Sequence, residues 1–513
     1  MTSTLQTKLC SIDEAIGLVA DAQTVASGGF VGAGVPEALL AAIERRFLES
    51  GRPRDLTLIY AAGQGDGKVR GVNHLAHEGL VRRVIGGHWG LAPRMGRMAL
   101  EGKIEAYNFP QGVICQLFRD IAAGRPGSIT HIGLDTFIDP AHGGGRLNAQ
   151  TPSGLVERVE LAGRSWLFYH ALPIDVGLIR ATSADPHGNL SMEEEAIFGE
   201  MLPIAQAAHN SHGIVIAQVC RLRDTPIAPQ HVRVPGILMD RIVVAPPAEH
   251  PQTFAAEGFN PAFVNPGGLC ASELPPMPLD ARRLVVARAC QEIPEGAIAN
   301  LGIGMPEGIA RIAAERGLLD RFTLTLESGP IGGMPAGGLS FGASHHPLAI
   351  IDQPAQFDFY DGRGLDFAAL GAAQIDAEGN VNVSKFAGRV AGVGGFVNIT
   401  QTAKKLVFCG TFTTGGLEIA VEGGRLRIVR EGQTPKFVSC VEQLSFSARH
   451  SRAVGQEVLY VTERAVFRLT DQGLQLLEVA PGVDLQREVL ERMPFKPIVG
   501  PIRPMPLDEG PKP

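Results

Sequence analysis

Apolar residues along this chain fall into two alternating patterns: short unbroken runs with the bias of a buried strand, and stretches with the spacing of an amphipathic helix. TVAS (24–27) leads into GAGVPE (32–37) and then ALLAAIERR, while AIAN (297–300) leads into GIGMPE (302–307) and then GIARIAAERG. Strand, glycine–proline turn and helix therefore occur twice, with the turns 270 positions apart. LTLIYAAGQG (56–65) and FTLTLESGPIGG (322–333) read as the strand that follows each helix. A second match joins DVGLIRATSADPHGNLS (175–191) to DFAALGAAQIDAEGNVNVS (366–384), with Asp175/Asp366, Asp185/Asp376, Gly188/Gly379 and Asn189/Asn380 each 191 apart. The difference between 270 and 191, 79 residues, is the size of an insertion expected in the first copy between its glycine loop and its D-x-x-G-N turn. GIVIAQV (213–219) and KLVFCGT (405–411) add one more buried strand at nearly the same spacing.

Strands alternating with helices call for a mostly parallel sheet covered on both faces, once in each half. The expected fold class is α/β, with two tandem, internally repeated open α/β domains. Residues 1–245 form the first and 284–500 the second. The proline- and glycine-rich stretch 246–283 is the expected linker, and 501–513 a frayed tail. Near the N-terminus, Ser11 and Glu14 have capping-box spacing, and Asp13 and Glu14 interrupt the run where a secretory signal would be most apolar.

Charge and cysteine content narrow the class. A net charge of −7 without a basic block gives no nucleic-acid footprint, and no apolar run approaches the roughly 18 residues of a membrane span. The seven cysteines are odd in number, scattered and never in C-x-x-C spacing, which points to reduced thiols and a cytoplasmic protein.

Chemistry enters through a mismatch between the copies. With Thr57 opposite Thr323 and Gly63 opposite Gly329, Ala61 falls opposite Glu327. The same turn is built with an apolar residue in one copy and an acid in the other, so the acid is not required by the turn. The glycine loops lack a dinucleotide fingerprint, since Glu37 and Glu307 stand where its last glycine belongs. What remains is backbone N–H at the start of a proline-initiated helix (Pro36, Pro306), suited to an amide or a phosphate.

These residues resemble the family I CoA-transferases. GGFVGAGVP (28–36) is similar to the family's N-terminal signature, and ESG (327–329) to its catalytic segment, where Glu-Asn-Gly is more usual. HLAHEGLVRR, GHWG, YNFPQG, FRDIAAGRPG, TFIDP, ESGPIGGMPAGG, DGRGLD, GNVNVS, GVGGFVNITQ and FCGTFT extend the likeness over essentially the whole chain. It is nearest the single-chain propionate and short-chain acyl-CoA:acetate transferases. The resemblance implies an enzyme that moves coenzyme A reversibly between a short-chain acyl-CoA and a free carboxylic acid, by ping-pong kinetics. Glu327 would attack the thioester, forming first an acyl-glutamyl anhydride and then a glutamyl-CoA thioester. CoA would be both substrate and transient adduct, with no separate cofactor and no metal. The likeness also implies CoA-binding backbone at Gly302, Ile303, Gly304, Met305 and Pro306, contacts to the glutamate from Gly388, Gly392, Gly394 and Gly395, and Gln111 near the reacting carboxylate. It implies a homo-oligomer such as a tetramer. For this chemistry Glu327 must be ionised yet poorly hydrated, and amide donors must face the oxyanion.

Other clusters carry less. HLAH (74–77), with His88 nearby, has no fixed third ligand for a metal. EEE (193–195) reads as a solvated helix start, and Lys385, Arg389, Lys404 and Lys405 form a basic neighbourhood within possible reach of CoA phosphates. Two other functions stay open on this scaffold: an acyl-CoA hydrolase and a non-catalytic acyl-CoA sensor.

Overall fold

The computed structural model describes residues 4–255, 258–268, 276–508 and 510. Each half contributes one large sheet. In the first, β1 (Thr24–Ser27), β2 (Leu56–Tyr60), β3 (Val81–Gly86), β4 (Glu105–Asn108), β5 (Val176–Ala184), β6 (Ile214–Leu222) and β7 (Arg241–Val244) lie in the order β7-β6-β5-β1-β2-β3-β4. All these neighbours are parallel. In the second, β8 (Ile298–Leu301), β9 (Thr323–Thr325), β10 (Phe367–Gly371), β11 (Lys405–Cys409) and β12 (Glu457–Val461) lie in the order β9-β8-β10-β11-β12, again all parallel. The five central strands β2-β1-β5-β6-β7 thus recur as β9-β8-β10-β11-β12. Most of their residues are buried, as a sheet covered on both faces requires.

The pairing registers measure the repeat. Val25 pairs with Val176 and Ala299 with Phe367, while Ile214 pairs with Val176 and Lys405 with Phe367. Ile214 is therefore the counterpart of Lys405, at the same spacing of 191 as the aspartates, and the match of GIVIAQV to KLVFCGT is one residue out of step. A strand buried on both faces has no alternation to fix its register in sequence. The D-x-x-G-N turns coincide in detail. Asp185 accepts from the amides of His187 and Asn189 and from Asn189 Nδ2, and Asp376 does the same with Glu378 and Asn380.

Between β2 and β5 the first half inserts β3, β4, the helix Gln111–Ala122 and a separate antiparallel sheet of Gly127–Thr130, Arg164–His170 and Val156–Leu161. The second half extends its own sheet beyond β12 with Ala465–Thr470, Gly473–Val479 and Ile498–Pro504. The last of these corrects the expectation of a frayed tail as far as Asp508, while 509 and 511–513 lie outside the described residues. Met505 is buried, and Asp508 pairs with Arg283 and Arg316. Pro501 and Pro504, which suggest fraying in sequence, are tolerated because this strand is an edge.

The capping box at Ser11 forms with both of its bonds. The stretch 246–283 has only the short turns Pro247–Glu249 and Pro261–Phe263 among its described residues before the helix Ala281–Cys290 begins. Described parts of it are packed in place nevertheless: Phe254 and Phe263 are buried, and Thr253 Oγ1 shares a hydrogen bond with Ser340 Oγ at 2.9 Å.

Candidate active site

Glu327 stands just past β9, where the chain reverses: the Leu326 amide donates to Pro330 O at 2.9 Å and the Gly329 amide to Leu326 O at 3.0 Å. Gly329 has φ +121°, and a Cβ there would lie 2.0 Å from the carbonyl oxygen of Ile351, so the turn admits only glycine. Ser328 Oγ donates to Gly342 O at 2.6 Å and pins the turn from the other side.

Opposite Glu327, the loop GVGGF of the second half is stitched to the first half. The amides of Trp89 and Gly90 donate to Ala391 O, the Gly394 amide to Gly87 O, and the Gln111 amide to Gly394 O. Asn108 Oδ1 accepts from the Val393 amide at 3.0 Å. This seam brings Gly395 against the acid so closely that a Cβ on it would be 1.9 Å from Glu327 Oε2. Gly394 lies between Gln111 and His88.

Together these segments enclose a cavity of about 260 Å³. Its walls include Phe30 and Val31 of the first glycine loop, Phe341, Leu370 and Phe396 of the second half, and, as its titratable members, Glu327 and His88. Registers explain why Phe30 and Val31 reach in. The strands β1 and β8 align with Thr24 opposite Ile298, whereas Pro36 aligns with Pro306, so the first loop is the longer and Gly28–Val31 have no counterpart.

Burial dominates the electrostatics. It raises Glu327 from the ordinary carboxylate value to about 7, against a smaller opposing pull from the Gly395 amide. That amide is a loose partner, and Oε2 lacks a hydrogen bond of ordinary geometry. The acid therefore titrates within the neutral range, and its charge is poorly solvated. His88 is pushed the other way, to about 4, and stays neutral. Gln111 is 2% exposed, and its Nε2 has no partner.

Of the residues expected at the site, Glu327, Gln111, Gly302, Ile303, Gly392, Gly394 and Gly395 line this one cavity. Gly304, Met305, Pro306 and Gly388 do not. The Gly304 amide is taken by Glu307 Oε1 at 2.7 Å, Met305 packs on the core of the second half, Pro306 is buried, and Gly388 lies in the turn of the hairpin Lys385–Val390. Backbone of the first helix start is also occupied, with the Ala38 amide donating to Gln218.

Two further expectations are corrected, and a third cluster is placed. The acids 193–195 do not start a helix: Glu195 is buried, paired with Arg180 and His250, and drawn down to about 2 chiefly by the Arg180 charge, while Glu193 and Glu194 pair with Arg221. Lys404 and Lys405 sit at the start of β11, the end away from the cavity, bound to Asp366, Glu292 and Glu457. His74 and His77 lie at a 3-10 turn bonded to Glu44, with His74 also bonded to Glu37. No group of three or more potential ligands converges on a metal site among the described residues.

Sequence reasoning missed Glu200. It is wholly buried with neither carboxyl oxygen partnered, and burial raises it to about 8. It also missed Phe30, Phe341 and the placement of His88. Only the resemblance of GGFVGAGVP and GHWG carried any signal for two of these.

A buried carboxylate raised to about 7, in a glycine-rich cavity lined by both halves, has the surroundings of an enzyme's active site. Comparison with known proteins specifies which. The Coenzyme A transferase family model matches residues 10–245. Acetate CoA-transferase YdiF of Escherichia coli K12 is 42% identical over 494 residues, covering 96% of this chain and 92% of that protein. Caffeate CoA-transferase of Acetobacterium woodii is 42% identical over 501 residues, covering 96% and 95%. The crystal structure of the acyl-CoA transferase YdiF of E. coli O157:H7, as a thioester complex with CoA, matches with a TM-score of 0.91 at 40% identity, covering 96% and 94% of the two chains. The chain belongs to the CoA-transferase family and is an enzyme that moves coenzyme A between an acyl-CoA and a carboxylate.

Proposed function

We propose that Glu327 carries this transfer as a covalent nucleophile and that the acyl groups are short. A Glu327 oxygen attacks the thioester carbonyl carbon; the C–S bond breaks, CoA leaves as a thiolate, and an acyl-glutamyl anhydride remains. The thiolate then attacks the glutamyl carbonyl and expels the first carboxylate, leaving a glutamyl-CoA thioester. A second carboxylate runs the steps in reverse. Bonds and charge balance with no oxidant, metal or nucleotide, so CoA serves as substrate and transient adduct and no other cofactor takes part.

The observation that carries this reading is the placement of Glu327 Oε2 against Gly395 in a shared cavity, with burial holding the acid near 7. A desolvated carboxylate is a stronger nucleophile than a hydrated one, and glycine amides at this range can face the oxyanion of each tetrahedral intermediate, a donor being worth about 3–4 kcal/mol. Apolar walls from Phe30, Phe341 and Phe396 suit a short alkyl acyl group, in keeping with the relative named for acetate. The enzyme is further proposed to be cytoplasmic and homo-oligomeric, as a tetramer; no described helix is long and apolar enough to cross a membrane.

Incubation with an acyl-CoA and no acceptor, followed by borohydride, tests the route. The glutamyl thioester is reduced to an alcohol, and peptide mapping finds it at Glu327; a label on a cysteine or another acid defeats the assignment. Supplying a second acid completes the test, since the trapped intermediate should yield a new acyl-CoA and not free CoA. A panel from acetate to an aryl-propenoic acid tests the acyl range.

A further inference from the structure

We propose that His88 is a neutral hydrogen-bond donor, through Nε2–H, to the acyl oxygen that reacts at Glu327. The inference rests on the reading of Glu327 as nucleophile.

His88 belongs to the turn GGHWG after β3, and the seam with GVGGF holds the turn on both sides of it: Gly87 O accepts from Gly394, and the Trp89 and Gly90 amides donate to Ala391. The ring is thereby fixed, yet Nδ1 is shut off from solvent with no hydrogen-bond partner among the described residues. Nδ1 packs against Gly63, where a Cβ would come within 2.6 Å of it. Gly63 is the counterpart of Gly329 in the catalytic turn, and in this half its lack of a side chain makes room for the imidazole.

The closed nitrogen decides the tautomer. A proton on Nδ1 would be a buried donor with nothing to accept it, whereas a lone pair there is the lesser loss. The proton therefore belongs on Nε2, on the side of the ring near Gly90. His88 retains accessible surface and is one of the cavity walls. The side-chain donors in those walls are His88 and Gln111, and Gln111 Nε2 is also unpartnered. Two polar side chains with unmatched nitrogens, beside Glu327 in an apolar, glycine-rich cavity, are what a site built to orient a ligand shows.

Neutrality matters to the chemistry. Burial alone accounts for the low pKa of His88, and the other titratable group lining the cavity is Glu327. An imidazolium would form an ion pair with Glu327 and blunt its attack. A neutral N–H donates to an acyl oxygen, and more strongly as that oxygen becomes an oxyanion, without adding a positive charge.

The test compares His88→Leu with His88→Gln, variants of similar bulk of which only the second keeps an N–H donor. Each is assayed by quenched borohydride trapping at Glu327 and by steady-state turnover. His88→Leu is expected to form the thioester about 100-fold more slowly, with the loss in kcat rather than in KM for acyl-CoA, and His88→Gln to recover at least about tenfold of it. Labelling of His88→Leu at the wild-type rate, or His88→Gln no better than His88→Leu, overturns the role of His88 while leaving Glu327 standing. Failure of the wild-type protein to label at Glu327 overturns the parent reading instead. Selective ¹⁵N-histidine NMR gives a readout independent of turnover: an Nε2–H tautomer that stays neutral at pH 6 is expected, and an Nδ1–H tautomer or a ring protonated at that pH overturns the inference.

Discussion

The turns after β2 and β9 occupy the same place in the repeat and hold opposite contents. Ala61 is wholly buried and its carbonyl lies so close to Gly87 that a Cβ there would be 1.9 Å away. The chain then runs on to pair Val31 with Gln64, so the glycine loop and the strand end are locked together. After β9 the chain instead reverses into Pro330–Ile331, antiparallel to the strand it left, and places Glu327 at the bend. One copy keeps the strand end as scaffold, while the other opens it as a reacting surface. The scaffold copy still serves the site, because Gly63 admits His88 and the neighbouring helix begins at Gln111. On the proposed reading of Glu327, duplication let one half supply the nucleophile and the other its surroundings.

The sharpest break in this comparison is Glu327→Ala, which makes the second turn chemically like the first. Transferase turnover should fall by about 10⁴-fold or more, as for other covalent nucleophiles, and the borohydride label should vanish. Adding Ala61→Glu to that variant should restore nothing, since the acid would sit in the core and not in the cavity; recovered turnover would show that the two turns are interchangeable.

Next comes the energetic consequence of burying the acid. Because the pKa of Glu327 is higher in the folded chain than its unfolded value near 4.5, ionisation disfavours folding. The penalty is absent below about pH 4.5, grows through the interval, and is complete above about pH 7, where the shift corresponds to roughly 3 kcal/mol. Glu327→Gln should thus unfold at a higher temperature than the wild type at pH 8 and at the same temperature near pH 4.5; an equal gap at both would assign the gain to something other than charge. In the wild type kcat/KM should decline as pH falls below about 7, when the nucleophile is protonated.

Glu327→Asp preserves the charge and withdraws the oxygen by about an ångström, and turnover should drop about 100-fold. A smaller loss would mean that the turn relaxes to follow the shorter side chain. The smallest effect tests the halves where they agree. Asp185→Ala and Asp376→Ala remove the same set of turn bonds and should each lower stability by about 2 kcal/mol in denaturant unfolding, Asp185→Ala slightly more because its Oδ2 also accepts from the Ile227 amide. A disparity of several kcal/mol would show that the turns are alike in form but not in load.

How far the site was legible follows from the same contrast. Glu327 stood out because an internal standard, Ala61, was available in the same chain. The aspartate turns were legible because their bonds are local, spanning four residues or fewer. His88 and Glu195 were misjudged for the opposite reason. Each looks like an ordinary polar residue in sequence, and its role depends on segments far along the chain: Ala391–Gly394 around the first, Arg180 and His250 around the second. The run 302–306 reads as one binding motif, yet in the fold it divides at Gly304, whose amide is claimed by Glu307.

The amino-acid sequence by itself determined the duplication, the α/β class, the parallel core of each half and the identity of the distinctive acid. Those properties rest on periodicity and turn chemistry, which act between near neighbours. Only the tertiary structure decided that Glu327 would be held near 7, that His88 would stay neutral with Nδ1 closed off against Gly63, and that Gly395 rather than Gly388 would meet the carboxylate. Solvation and approach at this site are set by β9, the GVGGF loop and the GGHWG turn together, segments spread over residues 86–396, and no local pattern records what they exclude when they close.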